Sequence, residues 1–193
     1  YASFADLFRY CLLYQRGGWW FDMDMICLRH GPVPTDILFA STWEGHYGQC
    51  ANNCVMWCKP GDELMKELWI RAQKVVADGS IQFGSIGPFL VQQLVRERAL
   101  EDHVSHWTEF CPYPWTMVHR LAQSDIRAYV KDRIRLLKHM ILQFANPTFR
   151  AGYIRPTSRT LHFHNEIWRA SGLDKNAKYF RLSAIERLKR QYL

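Results

Sequence analysis

Two aspartates interrupt an apolar, aromatic-rich segment between Trp19 and Leu28. The segment is too short and too rich in β-prone residues for a surface helix, so we interpret it as a largely buried strand. Residues two apart on a strand point to the same side, which would bring Asp22 and Asp24 together. Neighbouring carboxylates in apolar surroundings repel each other and lose hydration, so they need a cation or several hydrogen-bond donors.

A divalent cation is the simplest partner for this pair of carboxylates. Hard oxygen ligands suit Mg²⁺ or Mn²⁺, which complete their coordination shell with substrate phosphates when a protein offers one or two carboxylates. The spacing alone also fits two acids on an edge strand or loop that face water. Both interpretations stay open at this stage.

Hydrophobic periodicity and turn residues divide the chain into alternating helices and strands. An α/β class follows from this alternation. Residues 50–59 fit either a strand or a short helix, and residues 101–118 are predicted as a strand with irregular flanks. The remaining predictions are helices over 3–14, from Asp62 to about Asp78, over 89–98, over 125–144 and after Ser183, and strands over 19–28, 37–43 and 161–164.

Length and composition predict one folded domain. The chain has 193 residues, of which 48% are hydrophobic and 22% charged, so it has ample material for a core. It contains no apolar run long enough to predict a membrane span. Because it begins at Tyr1 without an initiator Met, we interpret it as a piece of a longer protein.

Six cysteines lie within apolar segments, and three of them, Cys50, Cys54 and Cys58, recur every four residues. On a helix this spacing would align the three thiols for zinc. Zinc sites usually show Cys-x-x-Cys pairs or Cys/His pairs at set separations, however, so buried free thiols are the prediction.

Several motifs follow one another in a fixed order through most of the chain. The motifs are Asp6-Leu7-Phe8-Arg9-Tyr10, Leu13-Tyr14, Gly17-Gly18, Phe21-Asp22-Met23-Asp24, Asn53, Met56, Pro60-Gly61, Gly87-Pro88, His162 and Asn165-Glu166-Ile167-Trp168. Together they resemble the DXD-containing sugar transferases of the glycosyltransferase sugar-binding region family, which includes initiating mannosyltransferases and capsular polysaccharide transferases.

The resemblance implies a GT-A-like, Rossmann-related fold with a mixed sheet flanked by helices. It enters the family pattern late, so the first strand-helix-strand unit of such a fold is expected to be missing. On this interpretation residues 1–193 form a single catalytic domain, truncated at its N-terminus, with 125–144 as a basic helical insertion.

The resemblance also implies an activity and a set of site residues. The activity is metal-dependent transfer of a sugar from a nucleotide donor, a UDP- or GDP-sugar, to a glycan or lipid-linked acceptor, with retention at the anomeric carbon. Asp24 would bind Mn²⁺ or Mg²⁺ with Asp22, and His162 is a further candidate ligand. Asp6, Arg9, Asp22 and Asn53 would hold the donor sugar, and Asp22, Asp24 and Arg9 are the candidate catalytic residues.

The chain carries 25 Lys and Arg against 18 Asp and Glu, a formal net charge of +7. No nucleic-acid-binding motif accompanies these cations, so an anionic donor and a peripheral contact with a membrane are the expected partners. We expect a cytoplasmic location at the membrane face, with the Golgi lumen as the alternative. Two other functions stay open: a DxD phosphotransferase or phosphatase, although Ile26 replaces the usual hydroxyl residue, and a non-catalytic basic binding domain.

Overall fold

The computed structural model describes residues 2–82, 84–145 and 152–192. Helices and strands alternate along these residues, and the predicted α/β class is confirmed. Their bounds are α1 (Ala2–Arg16), β1 (Gly18–Phe21), β2 (Met25–Cys27), β3 (Leu38–Trp43), β4 (Gln49–Cys58), α2 (Glu63–Ala77), α3 (Pro88–Glu97), α4 (Trp107–Phe110), α5 (Ile126–Ala145), β5 (Thr160–His162), α6 (Asn165–Ala170) and α7 (Ala184–Tyr192).

Two small antiparallel sheets form the centre of the fold. One has the strand order β1-β4-β3, and the other pairs β2 with β5. An isolated parallel bridge joins Phe39 to Val104. With helices packed against the sheets, the architecture is compatible with a GT-A-like domain.

Three clusters of buried side chains hold these layers together. The largest lies between the three-stranded sheet and helices α1, α2 and α3 and includes Tyr10, Phe39 and Leu68. A second cluster, around Trp168, lies beneath β5, α6 and α7. The third is small and includes Cys54, from β4. Burial of these apolar surfaces is the main source of stability for the described residues.

The prediction of one strand over 19–28 is wrong. The chain forms β1, turns at residues 22–24, and enters β2 in the other sheet. The predicted strand over 101–118 is also wrong, because Pro112 and Pro114 have no N–H to donate to a strand ladder. That segment contains α4 and the 3₁₀ helix Glu101–His103, and a second 3₁₀ helix, Trp115–Leu121, begins within it.

Strand β4 contains an irregularity beside the turn. Phe39 pairs with Met56, but the next residue of β3, Ala40, pairs with Asn52, so residues 53–55 have no partner on β3. Bulges of this kind redirect side chains and often lie next to functional sites. Here the bulge contains Asn53 and Cys54.

The tight connection from α1 to β1 depends on Gly17. Its φ of +62° lies in the left-handed region, and its N–H donates to the Leu13 carbonyl at 2.8 Å. A Cβ at this position would lie 2.4 Å from the Pro60 nitrogen, so a side chain is excluded. The turn therefore fixes α1 directly beside β1.

No helix among the described residues is long and apolar enough to cross a membrane. The predicted basic helix over 125–144 is confirmed as α5. Its only acidic residue, Asp132, is largely buried and accepts a hydrogen bond from Arg120 Nε at 2.5 Å. Within the helix, most of the positive charge of its five cations is therefore not balanced by acidic residues.

Candidate functional site

The two aspartates lie in the turn by which the chain passes from one sheet to the other. Met25 donates its N–H to the Asp22 carbonyl at 3.2 Å, which closes the turn, and Met23 at its tip is fully exposed. The Asp22 N–H is anchored to the Cys54 carbonyl at 2.9 Å. The carboxylates are thus brought together by a turn and not, as the sequence predicted, by alternation along a strand.

Pairing of β2 with β5 places His162 beside Asp24. Met25 faces His162 in this register, and the Phe163 N–H donates to the Asp24 carbonyl at 2.9 Å. The carboxylate of Asp24 lies 3.1 Å from His162 Nε2 and accepts the Asn165 N–H at 2.8 Å. Two separate elements therefore hold the Asp24 carboxylate in one orientation.

Asp22, Asp24 and His162 can offer ligand atoms that all lie within 4.8 Å of one another. Their side chains are 24%, 16% and 11% exposed, so the cluster is reached from solvent at one edge. Two carboxylates and an imidazole form a donor set that suits a divalent cation such as Mn²⁺. These residues fit the metal implied by the sequence.

The pKa values of the two carboxyl groups move in opposite directions. Burial raises the pKa of Asp22, although Arg9 and a hydrogen bond from Trp20 oppose that effect. Burial acts on Asp24 in the same sense, but the hydrogen bond and charge of His162 and the Asn165 N–H outweigh it and lower its pKa. Asp24 is therefore firmly ionised, whereas Asp22 stands to gain from an added positive charge.

Behind the carboxylates lies the buried guanidinium of Arg9, with 7% of its side chain exposed. It lies 3.1 Å from Asp22 Oδ1 and 3.3 Å from Asp6 Oδ1, and it donates a hydrogen bond to the Asn53 carbonyl. The Trp20 ring stacks on it at 4.9 Å. Arg9 is thus part of the interior and not a surface ion pair.

Asn53 completes this network from the bulge of β4. Its Nδ2 donates to Asp6 Oδ1 at 2.7 Å and lies 3.2 Å from the hydroxyl of Tyr10, which in turn donates to the Ile86 carbonyl at 3.0 Å. A Cβ on Gly87 would lie 2.8 Å from Asp6 Oδ2. The chain at the start of α3 therefore lies so close to the Asp6 carboxylate that a side chain at position 87 would clash with it.

All six residues singled out from the sequence are thus brought into one connected cluster. Sequence reasoning missed the contributions of Tyr10 and of the Asn165 N–H, although both residues lie within motifs that carried the resemblance. It also gave Trp20 no polar role, yet Trp20 Nε1 donates to Asp22 Oδ1 at 2.8 Å. Its position two residues before Asp22 was the only available signal.

A second imidazole lies against the first. The rings of His162 and His164 stack with their centroids 3.9 Å apart, and His164 has a φ of +50°, which is uncommon for a residue with a side chain. Burial and the adjacent His162 lower the pKa of His164 to about 3. His164 is therefore neutral and leaves the positive charge on His162.

In the metal-free protein His162 carries a positive charge at neutral pH. Burial lowers its pKa, but hydrogen bonds with Asp24 and Cys54 outweigh burial and raise it to about 10. Because this value exceeds that of the unfolded chain, the stability gained from His162 is complete below about pH 6.5 and is lost as pH rises toward 10.

With chelator present, we expect urea unfolding midpoints to fall more steeply between about pH 7 and pH 9 for wild type than for His162→Gln. Parallel pH curves would contradict this assignment.

The three cysteines of β4 cannot share a metal ion. Four residues of a strand span about 13 Å, so Cys50, Cys54 and Cys58 lie far apart. All six thiols are free, as predicted, but only Cys54, Cys58 and Cys111 are buried; Cys11 and Cys50 are partly exposed and Cys27 is exposed, so the prediction of burial is wrong for these three. Cys54 instead lies 3.4 Å from Cys111, measured between the sulfur atoms, a proximity that sequence spacing could not indicate.

Fold and site together define an α/β protein with a cluster of two carboxylates and an imidazole that could hold a divalent cation. Residues 1–42 match the family described as the glycosyltransferase sugar-binding region containing a DXD motif. This match supports a DXD-motif glycosyltransferase family and suggests glycosyltransferase activity; members commonly bind a divalent metal. It covers 42 of the 193 residues, so the placement of Asn53 and His162 rests on the structure alone. No curated protein matches the chain.

Proposed function

We propose that this chain is a metal-dependent hexosyltransferase that moves a sugar from a UDP- or GDP-sugar to a glycan or lipid-linked acceptor. One observation carries the proposal: the DXD turn of the matched segment meets His162 from a distant strand at a partly exposed edge. An acidic pair that only faced water would not need the buried guanidinium behind it. A role in polysaccharide biosynthesis agrees with this donor and acceptor chemistry.

The three candidate ligands of the metal form the first of two groups of site residues. Asp22, Asp24 and His162 would hold Mn²⁺ or Mg²⁺. When bound, the cation supplies positive charge that stabilises a departing nucleoside diphosphate. His162 and the Asn165 N–H keep Asp24 in place, which reduces the reorganisation needed when a charged substrate arrives.

The second group of site residues, centred on the buried Arg9, holds Asp22 in place. Arg9 and Trp20 both contact Asp22 Oδ1, at 3.1 and 2.8 Å, and leave the rest of that carboxylate for a sugar hydroxyl or the metal. Asp6 and Asn53 fix Arg9 from the other side. Direct contact of Arg9, Asp6 and Asn53 with the donor sugar stays a prediction, whereas a positioning role follows from their contacts.

Retention of anomeric configuration is proposed without a protein nucleophile. The acceptor hydroxyl would attack from the face of the leaving group and give its proton to the departing phosphate oxygen. No residue of this cluster then has to form a covalent bond, and the task of the site is to hold charge and orient the donor.

The proposal is tested by donor hydrolysis on the full chain. A panel of UDP- and GDP-sugars is incubated with Mn²⁺ and, in parallel, with excess chelator, and release of nucleoside diphosphate is measured. We expect turnover of at least one donor that chelator abolishes and Mn²⁺ restores. The proposal would be contradicted if the chain bound and hydrolysed every donor equally well without metal. It would also be contradicted if no donor were bound or hydrolysed.

The same assay separates the two alternative functions. Release of phosphate from a generic phosphomonoester, with no action on nucleotide sugars, would favour a phosphatase or phosphotransferase. Oligonucleotide binding that falls steeply with salt, without any turnover, would favour a basic binding domain.

A further inference from the structure

We propose that Cys54, Cys111 and His162 form a second metal site, for a soft divalent cation such as Zn²⁺, behind the carboxylate site. The two sulfur atoms are 3.4 Å apart, and they and one His162 nitrogen all lie within 4.8 Å of one another. Thiolate and imidazole are the ligands that zinc prefers. Hard cations such as Mn²⁺ favour the neighbouring oxygen cluster instead.

Three separate elements bring these ligands together. Cys54 comes from the bulge of β4, Cys111 from the residue directly after α4, and His162 from the end of β5. The side-chain oxygen of Thr160 donates to the Phe110 carbonyl at 2.8 Å, which ties β5 to the segment that carries Cys111. The cluster is therefore built by tertiary structure.

His162 is oriented as a metal-binding histidine would be. Its Nε2 contacts the Asp24 carboxylate at 3.1 Å, its Nδ1 is buried, and the ring also interacts with the Cys54 thiol. Metal-binding histidines commonly use one nitrogen for the metal and the other for a carboxylate. Asn52 Oδ1, 2.9 Å from Cys54 Sγ, or a water molecule would provide the fourth position.

Occupation of this site would release the thiol protons and the imidazole proton, because zinc binds thiolate and neutral imidazole. The two metal sites also share His162. One expectation rests on the proposed function: with Zn²⁺ on one nitrogen of His162 and Asp24 on the other, no nitrogen is left for Mn²⁺, so Zn²⁺ should weaken Mn²⁺ binding at the carboxylate site.

Cobalt absorption tests the site without reference to activity. Co²⁺ added to the reduced, metal-free chain should produce a sulfur-to-cobalt charge-transfer band in the near ultraviolet, and stoichiometric Zn²⁺ should remove it. Cys54→Ser and Cys111→Ser should each lose the band. Cys50→Ser, on the same strand as Cys54, should keep it, and so should Asp24→Asn, which separates this site from the proposed active site.

Three results would overturn the thiol site. The first is absence of the band in wild type, and the second is a band that survives in both Cys54→Ser and Cys111→Ser. The third is a Cys54–Cys111 disulfide, found by mass spectrometry in protein prepared anaerobically without reductant.

A separate observation concerns α5, whose outer face is apolar and exposed. Its residues Ile126, Val130, Ile134, Leu137 and Ile141 are 52%, 45%, 53%, 60% and 61% exposed. Their spacing of four, four, three and four places them in one stripe along the helix. We infer that this stripe lies on an anionic lipid surface.

The cations beside the apolar stripe of α5 favour an anionic lipid surface as its partner. Arg127, Lys131, Arg135 and Lys138 are exposed, and each directly follows a residue of the stripe, so they form one row along its flank. The only acid of the helix, Asp132, is turned inward to Arg120. Apolar residues bordered by cations, without acids, are typical of helices that lie in the headgroup region of anionic bilayers.

The C-terminal helix α7 offers no comparable surface. α7 is also basic, but its apolar residues Ile185 and Leu188 are buried against the core beneath β5. Its exposed cations Arg187 and Arg190 therefore have no apolar stripe beside them that could enter a bilayer. They provide a matched control for the cations of α5.

Vesicle flotation tests the surface with the full chain. We expect binding to phosphatidylserine-containing vesicles and not to pure phosphatidylcholine, with a loss of roughly tenfold or more in Lys131→Glu/Lys138→Glu. Arg187→Glu/Arg190→Glu carries the same charge change and should bind as wild type. Equal loss in both pairs would overturn the proposal, as would absence of wild-type binding. So would a homodimer in sedimentation that Ile134→Glu dissociates, which would assign the stripe to a second copy of the chain.

Discussion

Asp24→Asn is expected to lower Mn²⁺-dependent hydrolysis of the nucleotide-sugar donor by roughly 100- to 1,000-fold, which is typical of losing one group aimed at developing charge. The substitution keeps the shape and can still accept the Asn165 N–H, but it removes the negative charge that a cation requires. In the metal-free protein it also leaves the protonated His162 without its counter-charge. The measurement is release of nucleoside diphosphate at saturating Mn²⁺.

Asp36→Asn is the matched control, because Asp36 is an exposed aspartate outside the site. It should retain wild-type activity. Urea unfolding of both variants shows whether the chain still folds, so that a loss of activity can be assigned to the site. Wild-type turnover by folded Asp24→Asn would remove Asp24 from the catalytic machinery.

Arg9→Met is expected to reduce the free energy of unfolding by about 3 kcal/mol, at the lower end of the range for breaking a buried ion pair. It leaves Asp6 and Asp22 with a buried negative charge each and removes the donor to the Asn53 carbonyl. Partial exposure of Asp22, 24% of its side chain, keeps the cost from being larger. Urea denaturation measures the change.

Arg71→Met provides the comparison, because Arg71 also bridges two carboxylates, Glu67 and Glu97, but near the surface. Its loss should cost about 1 kcal/mol or less. If Arg9→Met does not fold, Asp6→Asn/Arg9→Met should recover part of the stability, because it removes one of the unpaired charges. Equal costs for the Arg9 and Arg71 variants would contradict the buried network.

The helices and the α/β class could be predicted from local signals. Periodic apolar residues mark α1, α2, α3 and α5, and turn residues mark their ends, because these signals act over a few residues. The strand over 19–28 could not be predicted correctly. Its composition is typical of a strand, but the chain leaves one sheet within this segment and enters the other. The point at which it does so is set by pairing with β4 and β5 and not by composition.

The candidate site was also only partly predictable from the sequence. Motif order alone identified Asp6, Arg9, Asp22, Asp24, Asn53 and His162, and the structure brings all of them together. Their roles could not be predicted, because burial decides them. Arg9 three residues after Asp6 fits a surface ion pair, and only the packing of α1 against β4 makes it the buried centre of the network.

What the sequence determined by itself is the chemistry of the site, a pair of carboxylates in a segment that matches DXD sugar transferases. What only the tertiary structure decided is which distant groups surround that pair. The pairing of β2 with β5 brings His162 to Asp24, across 138 positions of the sequence. The bulge of β4 brings Cys54 to Cys111, close to the same imidazole. The physical reason is that contacts between residues far apart in the chain are set by strand register and packing, which leave no periodic signal at the residues concerned.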